Sequence, residues 1–179
     1  MKNKSALLAE LQRGKKFKYL YFWGHQESST QVGKACLSQW YPSEFKLVGR
    51  VYPTAEHFMM AGKAKLFGDQ QAEEKVFTSK DPGFAKQVGR EVKGFNPDTW
   101  LQHRFDLVVQ GNLLKFEQNP QLREFLKSTG KRVLVEASPV DKIWGVGLAA
   151  DDERIEQPIK WRGENLLGFA LMVVRDRLP

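Results

Sequence analysis

Apolar residues recur along the chain in two rhythms, a spacing of three and four that marks amphipathic helices and an alternation that marks strands. The helical rhythm covers residues 1–16, with Ala6, Leu7, Leu8 and Leu11 as its apolar positions and Gly14 as its stop. It returns in "YPTAEHFMMAGKAKLFGD", where Pro53 precedes Thr54 and the Thr54 hydroxyl is placed to cap a helix. Further helices are predicted from Asp69 to Thr78, from Pro82 to Arg90, over about 20 residues around Trp100, Phe105, Val108, Val109 and Phe116 up to Pro120, in "QLREFLKSTG" up to Gly130, and from Asn165 to Leu178. Strands are predicted from Phe17 to Phe22 or Trp23, from Phe45 to Val48 and Arg50 to Tyr52 as a hairpin turning at Gly49, and from Arg132 to Glu136. "HQESSTQVGKA" reads as a polar loop. "VDKIWGVGLAADDERIEQPIKWRG" reads as a loop of about 24 residues, a length more often functional than idle. The expected fold is mainly α with a few short β-strands (α+β): one compact domain over residues 17–179, preceded by a helical appendage over residues 1–16.

Composition narrows the class without choosing a function. With 179 residues, 41% hydrophobic and 27% charged, the chain has the make-up of an ordinary soluble domain, and no apolar run approaches the roughly 18 residues of a membrane span. The N-terminus lacks the continuous apolar stretch of a secretory signal, so a cytoplasmic protein is expected, with no membrane partner. A single cysteine, Cys36, excludes an intrachain disulfide and a Cys-rich metal cluster. The net charge of +7 favours anionic partners. Lys2, Lys4, Arg13, Lys15, Lys16 and Lys18 form the one local basic cluster, read as a solvated segment. His25, His57 and His103 lack the spacing of a zinc motif, and neither GxGxxG nor GxxxxGK[ST] occurs, so no cofactor is expected.

Two charges interrupt the apolar face of the helix that follows Thr54. At about 100° per residue, Glu56, Met60, Lys63 and Phe67 fall in one narrow arc while Lys65 points the opposite way. Seven residues separate Glu56 from Lys63, about 10 Å along the axis, so the pair is spaced to address two ends of one ligand. A first-turn acid complementing the helix dipole and a snorkelling lysine would also account for them. Partial burial would favour a neutral amine and an acid of raised pKa, which nucleophilic and acid/base chemistry require. Asp141 lies in "SPVDKIWGVG" directly after a strand, either exposed at the end of a rigid element or bonded to its own turn. Trp144 is a core anchor or a stacking platform. "WLQHRFDLVVQGNLLKFEQN" places Arg104, Gln110, Asn112 and Lys115 amid apolar residues, and a close approach by a ligand or another helix would explain Gly111 inside a helical pattern.

"YFWG", "LSQWYPSEF", "YPTAEHFMMAGKAKLFGD", "GNLLKFEQNPQLREFLKSTG", "LVEASPVDKIWGVGL" and "WRGENLLGFALMVVRDRL" run in an order that resembles the NADAR (NAD and ADP-ribose) family from about Tyr19 to Leu178. The resemblance implies a mainly helical domain that cleaves the N-glycosidic bond between a ribose carbon and a nitrogen base, without a cofactor. Two substrate classes are associated with the family: phosphorylated ribosylaminopyrimidine intermediates of riboflavin synthesis, and ADP-ribose on guanine in nucleic acid. The family's motifs map onto Glu56, His57, Phe58 and Lys63, and onto Asp141, Ile143, Trp144 and Gly145. The implied catalytic residues are Glu56, Lys63 and Asp141, the lysine as a Schiff-base amine in the ADP-ribosyl-guanine class. Trp23, Trp144, Gly145, Arg104, Asn112 and Lys115 are the implied substrate contacts, with the tryptophans flanking the base and Arg104 and Lys115 on phosphate. The loop from Val146 to Lys160 is longer than in the family's reference members, which bears on substrate class. A binding module for ADP-ribose or NAD that does not turn over, and a nucleic-acid binder driven by charge, stand as alternatives, and the oligomeric state is left open.

Overall fold

The computed structural model describes residues 1–26 and 31–179, so part of the expected polar loop, residues 27–30, lies outside the described residues. The chain packs as two units, residues 39–120 and residues 1–38 with 121–179.

In the unit of residues 39–120, β2 (Phe45–Leu47) and β3 (Arg50–Tyr52) form an antiparallel hairpin. Its two turn residues, Val48 and Gly49, have φ of 48° and 77°, the all-positive pattern of the two-residue turn that follows strand twist. A β-branched residue in this region costs about 1–2 kcal/mol, and the Val48 side chain recovers nothing by packing, being 97% exposed. The outer edge of β2 is taken up by one side chain: Gln118 Oε1 accepts from Lys46 N at 2.8 Å and Gln118 Nε2 donates to Lys46 O at 2.8 Å. Around Tyr52, Phe45 stacks at 5.5 Å, Phe58 lies tilted at 5.0 Å and Phe77 meets it edge-on at 5.4 Å, and the Phe58 contact fastens the hairpin to the helix that follows.

That helix, α2 (Ala55–Leu66), starts at Thr54 as the sequence predicts, the hydroxyl accepting from His57 N at 3.4 Å. Asp69 caps α3 (Gln70–Lys75), which is shorter than predicted because Val76–Thr78 tighten into a 3₁₀ turn. α4 (Pro82–Arg90) and α5 (Pro97–Gln118) follow the predicted bounds closely. Glycines set the packing of α2. A Cβ on Gly111 of α5 would lie 2.6 Å from Phe58 and one on Gly62 would lie 2.6 Å from Leu107, while Gly89 of α4 receives Met60. The helical neighbour that Gly111 accommodates is therefore α2.

In the other unit, β1 (Tyr19–Phe22) and β4 (Val133–Glu136) pair in parallel with Phe22 opposite Glu136. α1 (Lys4–Gln12) buries Leu7 completely and ties Lys4 Nζ to Trp161 O at 2.6 Å. α6 (Pro120–Ser128) precedes β4, and α7 (Leu166–Arg177) covers it with Leu167, Phe169, Ala170, Leu171 and Val174. Asn165, at φ 57°, joins these elements: its Oδ1 accepts from Glu136 N and its Nδ2 donates to Leu134 O, both at 2.9 Å. The long segment before it, predicted as loop, is ordered by 3₁₀ turns at Glu153–Glu156 and Pro158–Lys160 and by Trp161 Nε1 donating to Ile155 O at 2.7 Å.

Two substitutions test these packing statements by thermal and urea unfolding. Gly111→Ala is expected to lower stability by about 1–2 kcal/mol despite its gain in helix propensity, because the new methyl meets the buried Phe58 ring. Val48→Asn, which suits the positive φ, is expected to raise stability by about 1 kcal/mol.

Candidate functional site

The first turn of α2 holds a carboxylate where the helix dipole favours one. Glu56 is buried, 3% exposed, and its backbone N donates to Gln39 O at 3.0 Å. Beside it His57 is fully buried. Its Nε2 lies 3.0 Å from Ser79 O and its Nδ1 lies 2.8 Å from Thr54 Oγ1. A carbonyl only accepts, so Nε2 carries a proton, and in the neutral ring Nδ1 accepts from the threonine hydroxyl. Burial pushes its pKa below 6.5, against the opposing pull of the Ser79 carbonyl and the Asp81 charge.

Two turns on, Lys63 is half-buried rather than snorkelling. Its Nζ donates to Gly89 O at 2.7 Å, a carbonyl near the C-terminus of α4, and lies over the Phe95 ring at 4.3 Å and the Trp100 ring at 5.5 Å. Burial lowers its pKa from the ordinary lysine value. Lys65, on the other side of the helix, is exposed.

The contacts of Phe58 with Gly111 and of Gly62 with Leu107 run in opposite senses, so α2 and α5 are antiparallel. By that register Glu56 lies level with the turn of Asn112 and Lys115, and Lys63 nearer the turn of Arg104. Arg104, Asn112 and Lys115 are not surface cations and amides; they are 8%, 0% and 0% exposed. Asn112 Nδ2 donates to Gln39 Oε1 at 2.6 Å and to Val108 O at 2.9 Å, leaving its buried Oδ1 without a partner. Gln39 thus joins the start of α2 to the middle of α5. The Lys115 ammonium lies 5.6 Å from the Tyr41 ring and 5.2 Å from the Phe116 ring. Glu56, Arg104 and Lys115 are each engaged within the protein, as buried charges must be. Such ionisable groups, placed two by two along adjoining helix faces, are the arrangement that proton transfer and anion binding call for.

In the unit of residues 1–38 and 121–179, Trp23 and the segment after Glu136 leave the sheet at the same end, the carboxyl end of both parallel strands, joined by Ala137 N donating to Phe22 O at 2.9 Å. Trp23 is 58% exposed and Trp144 is half-buried. Asp141 Oδ1 accepts from Ile143 N and Trp144 N, both at 2.8 Å, so the turn reading holds for that oxygen, while Oδ2 makes no hydrogen bond among the described residues. Gly145 has no room for a side chain: a Cβ would lie 2.9 Å from Asp141 O and 3.0 Å from Glu136 O. Its carbonyl accepts from Asn165 N at 3.1 Å, and Val146 N donates to Glu136 O at 3.0 Å.

Sequence reasoning passed over three features. Gln39 carries no periodicity that marks it as buried, Asn165 reads along the chain only as a helix start, and nothing in the sequence marks Phe95 and Trp100 as flanking Lys63. The interleaving of polar residues with apolar ones in α5 was the usable signal, and it pointed at Asn112 and Lys115. Among the described residues, no three His, Cys, Asp or Glu side chains gather as a metal ion would need.

Residues 21–179 match the model of the NADAR domain family. N-glycosidase R617 of Acanthamoeba polyphaga mimivirus is 45% identical over 164 residues, 89% of this chain and 95% of that protein. The riboflavin biosynthesis protein VVA0006 of Vibrio vulnificus is 32% identical over 142 residues, 79% of this chain and 35% of that one. The fold is similar to that of YbiA from E. coli, solved by NMR, with a TM-score of 0.72, 24% identity, and coverage of 91% of this chain and 86% of that one.

The neutral His57 makes stability depend on pH in a defined sense. Its folded pKa lies below 6.5, so below that pH the unfolded chain binds the extra proton and stability falls as pH falls towards the folded value. Urea unfolding from pH 7.5 down to 5 is expected to show this loss, and His57→Gln is expected to flatten it.

Proposed function

The chain belongs to the NADAR domain family, and from that premise we propose that it hydrolyses the bond between ribose and base nitrogen in phosphorylated ribosylaminopyrimidine intermediates of riboflavin synthesis. It is an enzyme, a glycosidase acting on N-glycosyl compounds. The relative from Vibrio vulnificus, named for riboflavin biosynthesis, supports the substrate. The observation that carries the mechanism is the pairing on one helix of a buried carboxylate, Glu56, with an amine, Lys63, whose charged form burial disfavours. We place the reaction in the cytoplasm, and among the described residues no helix is long and apolar enough to cross a membrane.

As the C1′–N bond breaks, positive charge grows at the ribose carbon and the departing nitrogen needs a proton. Glu56 supplies the proton and, as carboxylate, takes one from the water that adds to C1′; the products are the free aminopyrimidine and ribose phosphate. Lys63 is suited to a covalent route. A neutral amine donates one N–H to Gly89 O and keeps its lone pair for C1′ of the opened sugar. The base leaves as its amine, and water then hydrolyses the lysine imine. Asp141, whose Oδ2 is left over from its turn, is the second carboxylate assigned to the developing charge. Trp23 and Trp144 offer stacking faces for the base, and Gly145 lets the backbone come close. Arg104 and Lys115, with Asn112, are assigned to phosphate.

Purified protein supplied with ribosylaminopyrimidine phosphates is expected to release free base and ribose phosphate, while ADP-ribosyl-guanine serves as the comparison substrate. Release from neither would overturn the glycosidase reading, and release from the second alone would move the substrate class. Glu56→Gln is expected to lower kcat about 10²–10⁴-fold with the fold intact. Borohydride is expected to trap a sugar adduct on the wild type and none on Lys63→Ala; a full rate in Lys63→Ala ends its catalytic role. Asp141→Asn keeps the Oδ1 acceptor and removes the charge, so a loss of rate without loss of stability separates its chemistry from its turn.

A further inference from the structure

The stretch "GKKFKYLYF" is left unused by the hydrolase chemistry. In it Lys15, Lys16 and Lys18 interleave with Phe17, Tyr19 and Tyr21. Residues 1–18 carry six cations against one carboxylate, Glu10, so five of the net +7 charges fall in about a tenth of the chain. The match to the family model begins at residue 21, so these residues lie outside it.

In the structure Lys2, Arg13, Lys15, Lys16 and Lys18 are all exposed. A cavity of about 370 Å³ is lined by Ala6, Ala9, Arg13, Lys15 and Phe17. Glu10 stands in it, paired with Arg13 at 2.8 Å and Lys15 at 3.1 Å. The Lys15 ammonium lies 5.4 Å from the centre of the half-buried Phe17 ring. Tyr19 and Tyr21, two residues apart on β1, hold their rings 6.1 Å apart and 15° from parallel. Glu156 acts on Tyr21 and is the anionic group at that end.

We propose that this surface binds single-stranded nucleic acid, with Arg13, Lys15, Lys16 and Lys18 on phosphates and Phe17 with the Tyr19–Tyr21 pair as stacking faces for bases. Cations interleaved with aromatic faces are what sequence-tolerant strand binding uses. A membrane surface fits less well. None of the exposed large hydrophobic residues falls within residues 1–18, and Leu7, the central apolar residue of α1, is buried, so no fully exposed large apolar side chain stands there to insert into a bilayer. The proposal stands apart from the hydrolase reading, because no residue of this surface has a part in that chemistry.

Fluorescence anisotropy with a labelled oligonucleotide of about 20 nucleotides, at about 50 to 200 mM salt, tests it. Binding is expected, with log affinity falling against log salt at a slope of about −2 to −3, the value for three or four neutralised phosphates on a single strand. Lys15/Lys16/Lys18→Glu, shown to be folded by its unchanged thermal transition, is expected to lose at least about tenfold in affinity at the low-salt end and most of the slope. Phe17→Ala is expected to lose severalfold in affinity with the slope unchanged. Glu10→Gln, which releases Arg13 and Lys15, is expected to tighten binding. The proposal is overturned by no binding at low salt, by affinity within twofold of wild type in the triple variant, or by binding to phosphatidylserine vesicles or polyglutamate in preference to the oligonucleotide.

Discussion

The close approach of α2 and α5 is the constraint from which the chemistry of the unit of residues 39–120 descends. Gly62 and Gly111 each remove a side chain where the other helix presses in, Leu107 on one and Phe58 on the other. With the helices this near, the face of α5 bearing Arg104, Asn112 and Lys115 has no solvent to meet, and its polar groups are drawn inside. Burying charge is unfavourable unless the surroundings compensate it. Proteins accept that arrangement where the charge has work to do, and here Lys115 lies level with Glu56 and Arg104 nearer Lys63 along the helix pair.

Lys63 illustrates two opposed effects acting on one group. The hydrogen bond to Gly89 O and the rings of Phe95 and Trp100 favour the ammonium, while loss of water disfavours it. Desolvation prevails, since the pKa is lowered. Such an amine is held in place by the contacts that serve its charged form, and it remains ready to give up its proton.

Local signals were legible. The Thr54 cap, the hairpin turn at Gly49, the run from Pro82 to Arg90 and the wheel that separates Lys63 from Lys65 all depend on residues within a few positions of one another, where propensity and periodicity act. What escaped was non-local. Gln39 meets Asn112 across 73 positions and Lys63 meets Gly89 across 26, and no pattern along the chain encodes either meeting. The segment from Val140 to Gly163 read as loop because its order comes from Gly145, Trp161 and Asn165, each bonded to partners that periodicity cannot reveal. Asp141 carried two readings in the sequence, and the structure gives each carboxylate oxygen a separate standing: Oδ1 belongs to the turn, and Oδ2 does not.

Gln118 closes the edge of β2 with a side-chain amide that donates once and accepts once. A backbone strand laid in the same place would present its own far edge and invite another, as open sheet edges do. An amide presents nothing beyond itself. The outer edge of β2 is thereby terminated by a group that imitates a third strand for the length of one residue and cannot be extended, so pairing cannot grow from that edge towards aggregation.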